Sequence, residues 1–377
     1  MKAYLFPGQG SQRIGMGDKL FDAFPELTKA ADSILGYSIR ELCLKDPGRT
    51  LGKTQFTQPA LYVVNSLTWR QRLKDTTERP DFAAGHSLGE YNALECAGAF
   101  DFEDGLKLVK KRGELMSTAP KGAMAAILGL PSDRIAGILA DAGLSAIDVA
   151  NYNAATQTII SGLEQDVRNA QKCFEEHKAM YIPLNAGGAF HSRYMRPVVE
   201  QFGAFLEGFA FSPPQLPVIA NVSARPYEPV SITHNLLEQL ANPVRWLDSM
   251  NYLLQQGVTD FAELGPGDVL TKLIKGIRSQ FKPGAAPSPA PSAQPAQTPG
   301  APAAPHPPAN AQQRVADWNR SHPIGTSVRV KGYTQPLTTK TNAVVLFGHR
   351  AAIYMQGYNG YFALDDVEPT SRAVGNP

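Results

Sequence analysis

A serine stands between glycines in Gly85-His86-Ser87-Leu88-Gly89. The G-x-S-x-G pattern permits a sharp strand-to-helix turn that leaves the hydroxyl proud at the start of the helix, available as a nucleophile. A glycine-lined helix start capped by a serine would carry the same pattern. A second glycine turn, Pro7-Gly8-Gln9-Gly10-Ser11-Gln12, presents backbone N–H groups. It lacks both the G-x-x-x-x-G-K-[ST] and the G-x-G-x-x-G spacing, so a phosphate cradle is the weaker reading. Facing a serine elbow, it would supply an oxyanion hole with the amide of Gln9. The second donor would be the amide of Leu88, the residue after the serine. A serine nucleophile needs a base. His86 is adjacent to the serine, and neighbours on an elbow point elsewhere. His191 opens a fresh element in Gly188-Ala189-Phe190-His191-Ser192, although a lone histidine is more often structural than catalytic. Arg112, on a helix-forming run, is either a solvated surface cation or a guanidinium fork that grips a substrate carboxylate.

These groups need elements to position them. Lys2–Phe6 reads as a short buried strand feeding the first glycine turn. Residues 57–73 have apolar positions at helical spacing, Phe82–Gly85 is a short strand, and helices follow at Leu88–Ala97 and 103–117. Over roughly 122–185 the order becomes βαββαβ, the ferredoxin-like pattern, set between strand–helix units of a larger domain. Residues 283–311 are nearly all Pro, Ala, Ser, Gln and Gly, a composition that cannot build a core and reads as a linker. Beyond it, 312–370 carries short strand-like runs (SVRVKGY, AVVLFGH, AAIYMQGY, YFALDDV), and Asn359-Gly360 suggests a type I′ hairpin turn. That tail is expected to be a small all-β module of four or five strands, a barrel or meander.

Composition bounds the reading. A chain of 377 residues is long enough for about two or three domains. With 43% apolar residues it can bury a large core. Lys+Arg and Asp+Glu nearly balance (36 against 34), which argues against a nucleic-acid binder working by phosphate neutralisation. Three isolated cysteines exclude a disulfide scaffold and a Cys-rich zinc site, and reduced cytoplasmic thiols are the simplest reading. The N-terminal apolar run breaks at Pro7, too short for a signal peptide, and no apolar stretch approaches a membrane span.

Taken together, the segments FPGQGSQ at 6–12, QPAL at 58–61, GHSLGEYNAL at 85–94, KKRGELM around Arg112, NYNAATQTIISG at 151–162, GAFHS at 188–192, QLANPVRW at 239–246 and ELGPGDVL at 263–270 resemble the malonyl-CoA:acyl carrier protein transacylase family. They occur in family order over about 1–280, and their joint occurrence is specific where each alone is not. The resemblance implies an α/β fold. An α/β-hydrolase-like subdomain (1–121 and 186–282) would be interrupted by the ferredoxin-like one (122–185), with the active site in the cleft between them. It implies Ser87 as nucleophile, His191 as general base, Gln9 and Leu88 as oxyanion-hole amides, and Arg112 as anchor for the malonyl carboxylate. The family orients its histidine with a backbone carbonyl, here that of Gln239. Asn151 and Asn153 match positions near the acyl and pantetheine pocket. Phe190 resembles the malonyl-selective form of its segment, which implies preference for malonyl over methylmalonyl.

The implied reaction moves malonyl from malonyl-CoA through a malonyl-serine to the phosphopantetheine thiol of an acyl carrier protein, with no bound cofactor and no metal. The β-module departs from the stand-alone transacylases of fatty acid synthesis. It is easier to reconcile with a discrete, trans-acting acyltransferase of a polyketide synthase. A cytoplasmic monomer that binds neither nucleic acid nor membrane is expected. A proofreading acyl hydrolase of the same fold is the competing expectation, although such an enzyme has no use for a carboxylate anchor.

Overall fold

The computed structural model describes residues 1–228, 231–282, 309–330, 335–346, 350–356, 361–364 and 367–370. The chain divides into two units, 1–297 and 298–377, a division that falls within the Pro/Ala-rich segment.

The first unit opens with β1 (Lys2–Phe6), then α1 (Asp18–Ala23), α2 (Pro25–Leu35), α3 (Ile39–Leu44) and α4 (Thr54–Asp75). The three short helices between 18 and 44 are additions to the elements read from the sequence. β2 (Phe82–Gly85), α5 (Gly89–Cys96) and α6 (Phe102–Ser117) follow. Asp101 caps α6, accepting from the Asp104 amide at 2.8 Å. The chain then builds β3 (Gly122–Leu128), α7 (Ile135–Asp141), β4 (Asp148–Ala154), β5 (Gln157–Leu163), α8 (Glu164–Glu176) and β6 (Met180–Leu184). It returns through α9 (Arg196–Leu206), β7 (Val218–Ile219), α10 (Ile232–Ala241), α11 (Trp246–Gln255), β8 (Asp260–Glu263) and α12 (Val269–Gln280).

The main sheet runs β7-β2-β1-β8, all parallel. Parallel strands are covered on both faces, which is why β1 and β2 read as unbroken apolar runs. One face packs Ala3, Leu5, Phe82 and Ile219 against Trp246, Met250 and Leu253 of α11 and Leu270, Ile274 and Ile277 of α12. The second sheet, ordered β4-β5-β3-β6, is antiparallel throughout. Its core takes Ala125 and Ile127 from β3, Ile135, Ile138 and Leu139 from α7, and Val167, Ala170 and Phe174 from α8, at helical spacing. β4 is tied back to the main body: Tyr152 N donates to Val244 O at 2.9 Å, and Val244 N to Ala150 O at 2.8 Å.

The second unit contains α13 (Ala309–Ser321), β9 (Ser327–Val330), β10 (Leu337–Thr338), β11 (Val344–Leu346), β12 (Arg350–Tyr354), β13 (Tyr361–Ala363) and β14 (Val367–Pro369). The all-β expectation is corrected here: α13 precedes the strands and begins inside the stretch read as linker. The helix is polar apart from a narrow stripe. Val315 and Trp318 pack on the core of Val328, Ile353 and Met355, and Asn319 exchanges two hydrogen bonds with the Ala343 backbone. The described strands number six rather than four or five, in two three-stranded sheets, β10-β9-β14 and β11-β12-β13. Asn359-Gly360 lies outside the described residues. The strands flanking it pair Tyr354 with Tyr361.

Because β1 and β2 are parallel neighbours, with Phe6 opposite Gly85, their glycine turns leave the sheet side by side. Close approach decides residue type there. A Cβ on Gly89 would lie 2.0 Å from Phe6 O, and one on Gly8 would lie 2.3 Å from His86 O. Gly276 on α12 has open space around it. We therefore expect Gly89→Ala to lose about 1–3 kcal/mol by overpacking, read as a fall in melting temperature of roughly 2–4 °C per kcal/mol. Gly276→Ala should hold or raise it. Equal melting of the two variants would remove the close approach as a constraint.

Candidate active site

The carboxyl ends of all four parallel strands converge, the place where open α/β sheets bind ligands. β2 delivers Ser87 on a turn with φ 51°, a left-handed conformation that few non-glycine residues adopt. The next residues begin α5, so the Ser87 hydroxyl and the Leu88 amide sit at a helix N-terminus. Asn221, two residues past the end of β7, holds the elbow in shape. Its Oδ1 accepts from Ser87 N at 2.7 Å, and its Nδ2 donates to Gly85 O at 2.7 Å.

His191 also has a left-handed φ, 57°. Its Nε2 lies 2.7 Å from Ser87 Oγ, and its Nδ1 lies 2.8 Å from Gln239 O. A carbonyl only accepts, so Nδ1 carries the proton and Nε2 presents its lone pair to the serine. Burial, and then the Arg112 charge, lower the His191 pKa to about 3, which keeps the ring neutral. The segment after His191 is clamped to β4, where Arg193 Nε lies 3.0 Å from both carboxylate oxygens of Asp148.

Arg112 reaches the site from α6 with 1% of its surface exposed. It donates to Gln58 Oε1 at 2.6 Å, to Gln239 Oε1 at 2.9 Å and to Ser87 Oγ at 3.1 Å. Its Nε is buried without a partner. Among the described residues no carboxylate forms an ion pair with it. Burial pulls its pKa below the ordinary value, partly offset by Tyr91 and Glu90. Gln58 Nε2 donates to Thr54 Oγ1 at 3.0 Å, and Thr54 Oγ1 to Gln9 Oε1 at 2.9 Å, so α4 links the first glycine turn to Arg112.

The structure thus brings Ser87, His191, Arg112 and the carbonyl of Gln239 together, with Gln9 and Leu88 on the two adjacent turns. Asn153 lies one step away: its Oδ1 is 2.9 Å from Nε2 of His86, whose ring packs against Trp246. Asn151 is buried on β4, where it bridges to Val244. Phe190 is buried beside His191, its ring over Gly188. Sequence reasoning missed Asn221, Gln58, the Arg193–Asp148 clamp, Glu90 and Tyr227. Gln58 and Glu90 fall inside segments already singled out, at 58–61 and 85–94. Asn221 and Tyr227 lie in a loop with no local pattern. Among the described residues no cluster could hold a metal ion.

Residues 3–305 match the model of the acyl transferase domain family. The polyketide biosynthesis malonyl CoA-acyl carrier protein transacylase PksC of Bacillus subtilis is 53% identical over 280 residues, 74% of this chain and 97% of the relative. A malonyl CoA-acyl carrier protein transacylase from Burkholderia pseudomallei superposes with a TM-score of 0.73 at 51% identity, covering 75% of this chain and 99% of that one. The malonyl-transacylase of the PlMCAT:AntF structure, in complex with its type II PKS acyl-carrier protein, superposes with a TM-score of 0.71 at 36% identity over 76% and 96% of the two chains.

Asn221→Ala would leave the Ser87 amide and the Gly85 carbonyl without their partner. We expect a loss of about 1–3 kcal/mol in thermal unfolding, together with slower acylation of the serine. Retention of both stability and rate would show that the elbow holds its shape unaided.

Proposed function

The chain belongs to the acyl transferase domain family, and on that premise we propose that it is a malonyl-CoA:acyl carrier protein transacylase of polyketide or fatty acid biosynthesis. The observation that carries the reading is a single hydroxyl with two partners. Ser87 Oγ has a neutral histidine on one side and a buried guanidinium without a carboxylate partner on the other. The first makes a nucleophile. The second is costly to bury alone and selects acyl groups that bring an anion.

The mechanism is a two-step exchange. Ser87 Oγ attacks the thioester carbon of malonyl-CoA while His191 Nε2 takes its proton. The amides of Gln9 and Leu88 receive the oxyanion, an interaction of the kind worth roughly 3–4 kcal/mol per donor. The C–S bond breaks, and His191 returns the proton to the CoA thiolate. The carrier's phosphopantetheine thiol then attacks the malonyl-serine ester, its proton passing through His191 to the departing Ser87 oxygen. Arg112 holds the malonyl carboxylate throughout. Gln239 O keeps His191 in the productive tautomer. Asn151 and Asn153 line the acyl and pantetheine approach, and Phe190 crowds the space an α-methyl would need, a preference of about 1–3 kcal/mol.

The body is read as an α/β-hydrolase-like subdomain interrupted by a ferredoxin-like one. That reading is supported by the parallel sheet and by the inserted β4-β5-β3-β6 order. The second unit is read as the mark of a discrete, trans-acting enzyme of polyketide modules. Three free cysteines support a cytoplasmic site of action, and one chain supplies the whole site, as a monomer requires.

The test is intact-protein mass spectrometry with malonyl-CoA, followed by a phosphopantetheinylated carrier protein. We expect a malonyl adduct on Ser87 that moves to the carrier and is absent from Ser87→Ala. Decay of the adduct to free malonate without carrier labelling would make the protein a hydrolase. Arg112→Ala should lower malonyl loading about 10- to 100-fold, the worth of a hydrogen bond to a charged group, and favour acetyl loading in relative terms. Deleting residues 283–377 should leave Ser87 loading intact.

A further inference from the structure

Glu90 is fully buried one turn after the nucleophile and has no place in the mechanism above. Three donors converge on its carboxylate. Tyr227 Oη donates to Oε1 at 2.5 Å and the Asn221 amide to Oε1 at 3.0 Å, while Gln239 Nε2 donates to Oε2. The same Gln239 Nε2 donates to Ser87 O at 2.8 Å, which leaves Gln239 Oε1 facing Arg112 at 2.9 Å. We propose that Glu90 is a positioning residue for acyl selection: its carboxylate fixes the Gln239 amide so that the amide oxygen, not the nitrogen, holds the Arg112 guanidinium beside Ser87. The proposal rests on the reading of Arg112 as the anchor for the acyl carboxylate.

Only an ionised carboxylate satisfies all three donors. An amide at 90 must turn its own NH2 either on the Asn221 amide, which cannot rotate away, or on the Gln239 NH2. In the second case Gln239 flips. Its NH2 then faces the guanidinium, and its oxygen faces Ser87 O, two repulsive contacts where there were two bonds. Protonation at Oε2 creates the same conflict; protonation at Oε1 turns the O–H on Tyr227 Oη, which must give up its own donation, and leaves Oε2 a weaker, uncharged acceptor for Gln239. Burial raises the Glu90 pKa to about 7, against the lowering effect of its three donors and Arg112. The ionisable groups around it are few. Arg112 comes from α6, Tyr227 from the loop after β7, Tyr91 from its own helix, and His191 lies beyond Ser87. Of the other elements packed on α5, β2 and β7 carry no ionisable side chain. Lys2 and Tyr4 of β1 bond to Glu78, and Tyr62 of α4 is coupled to Glu95. Ionisation rises with pH, so the preference for carboxylate-bearing acyl groups should strengthen as pH passes upward through about 7.

The experiment measures Ser87 acylation by malonyl-CoA and by acetyl-CoA at pH values on both sides of 7, as the ratio of the two kcat/KM values. The ratio cancels the titration of His191 and of the CoA phosphates. Wild type should gain malonyl preference with rising pH. Glu90→Gln should lose about ten-fold or more of that preference, largely from malonyl loading, and its ratio should be flat with pH. Tyr227→Phe removes one donor that favours the ionised form, so its preference should appear at higher pH than in wild type. It also decides the matter should Glu90→Gln not fold. An unchanged ratio in folded Glu90→Gln, or an equal fall of malonyl and acetyl loading, overturns the proposal, as does an unmoved pH profile in Tyr227→Phe. Wild type that loads no malonyl at all would instead sink the transacylase reading itself.

Discussion

A buried cation beside the Ser87 hydroxyl is the constraint from which the rest of this site follows. Arg112 is almost wholly removed from water, and an isolated ion there is expensive. The fold answers with neutral acceptors rather than a carboxylate salt bridge: the amide oxygens of Gln58 and Gln239, and the hydroxyl of Ser87. An ion pair would satisfy the guanidinium permanently and neutralise its charge. Amide dipoles hold its plane and leave its charge uncompensated. Gln58, Gln239 and Glu90 are all consequences of that choice, since each amide must show its oxygen to the cation and find another partner for its nitrogen. Thr54 serves Gln58, and Glu90 with Ser87 O serves Gln239.

The backbone accepts strain at the same place. Ser87 and His191, the two groups that must meet, both have φ near +55°, and such conformations cost on the order of 1–3 kcal/mol each. They persist because the surroundings over-determine them. Asn221 pins the serine turn on both sides, and glycines at 8, 85 and 89 let the two turns and α5 approach to distances that no Cβ tolerates. The Arg193–Asp148 clamp and the Gln239 carbonyl fix the histidine from two directions.

What could be read in the sequence follows from range. The G-x-S-x-G turn is a local requirement, so Ser87 stood out before any fold was known. The βαββαβ order was legible because each strand and helix carries its own periodicity, and α8 shows it in Val167, Ala170 and Phe174. Arg112 was ambiguous on its helix because its burial depends on α4, whose Gln58 lies 54 residues away. Asn221 bonds Ser87 across 134 residues and Glu90 meets Tyr227 across 137, separations with no local pattern. The helix at 309–321 escaped notice for the opposite reason. Its apolar stripe is little more than Val315 and Trp318, too thin to stand out beside a Pro-rich stretch.

The charge on Arg112 also reaches His191. It is the second cause, after burial, of the low His191 pKa, because a nearby cation disfavours protonation of the ring. On the reading of Arg112 as the anchor proposed above, an acyl group that brings a carboxylate to the guanidinium would offset this second cause and make His191 more basic once seated. An acyl group without a carboxylate leaves the cation uncompensated and the base at its weakest. Discrimination then does not rest on binding alone. On the proposed reading, the group that would hold the acyl carboxylate also tunes the base, and the carboxylate is expected to act on kcat as well as on KM, as for an interaction that strengthens toward the transition state.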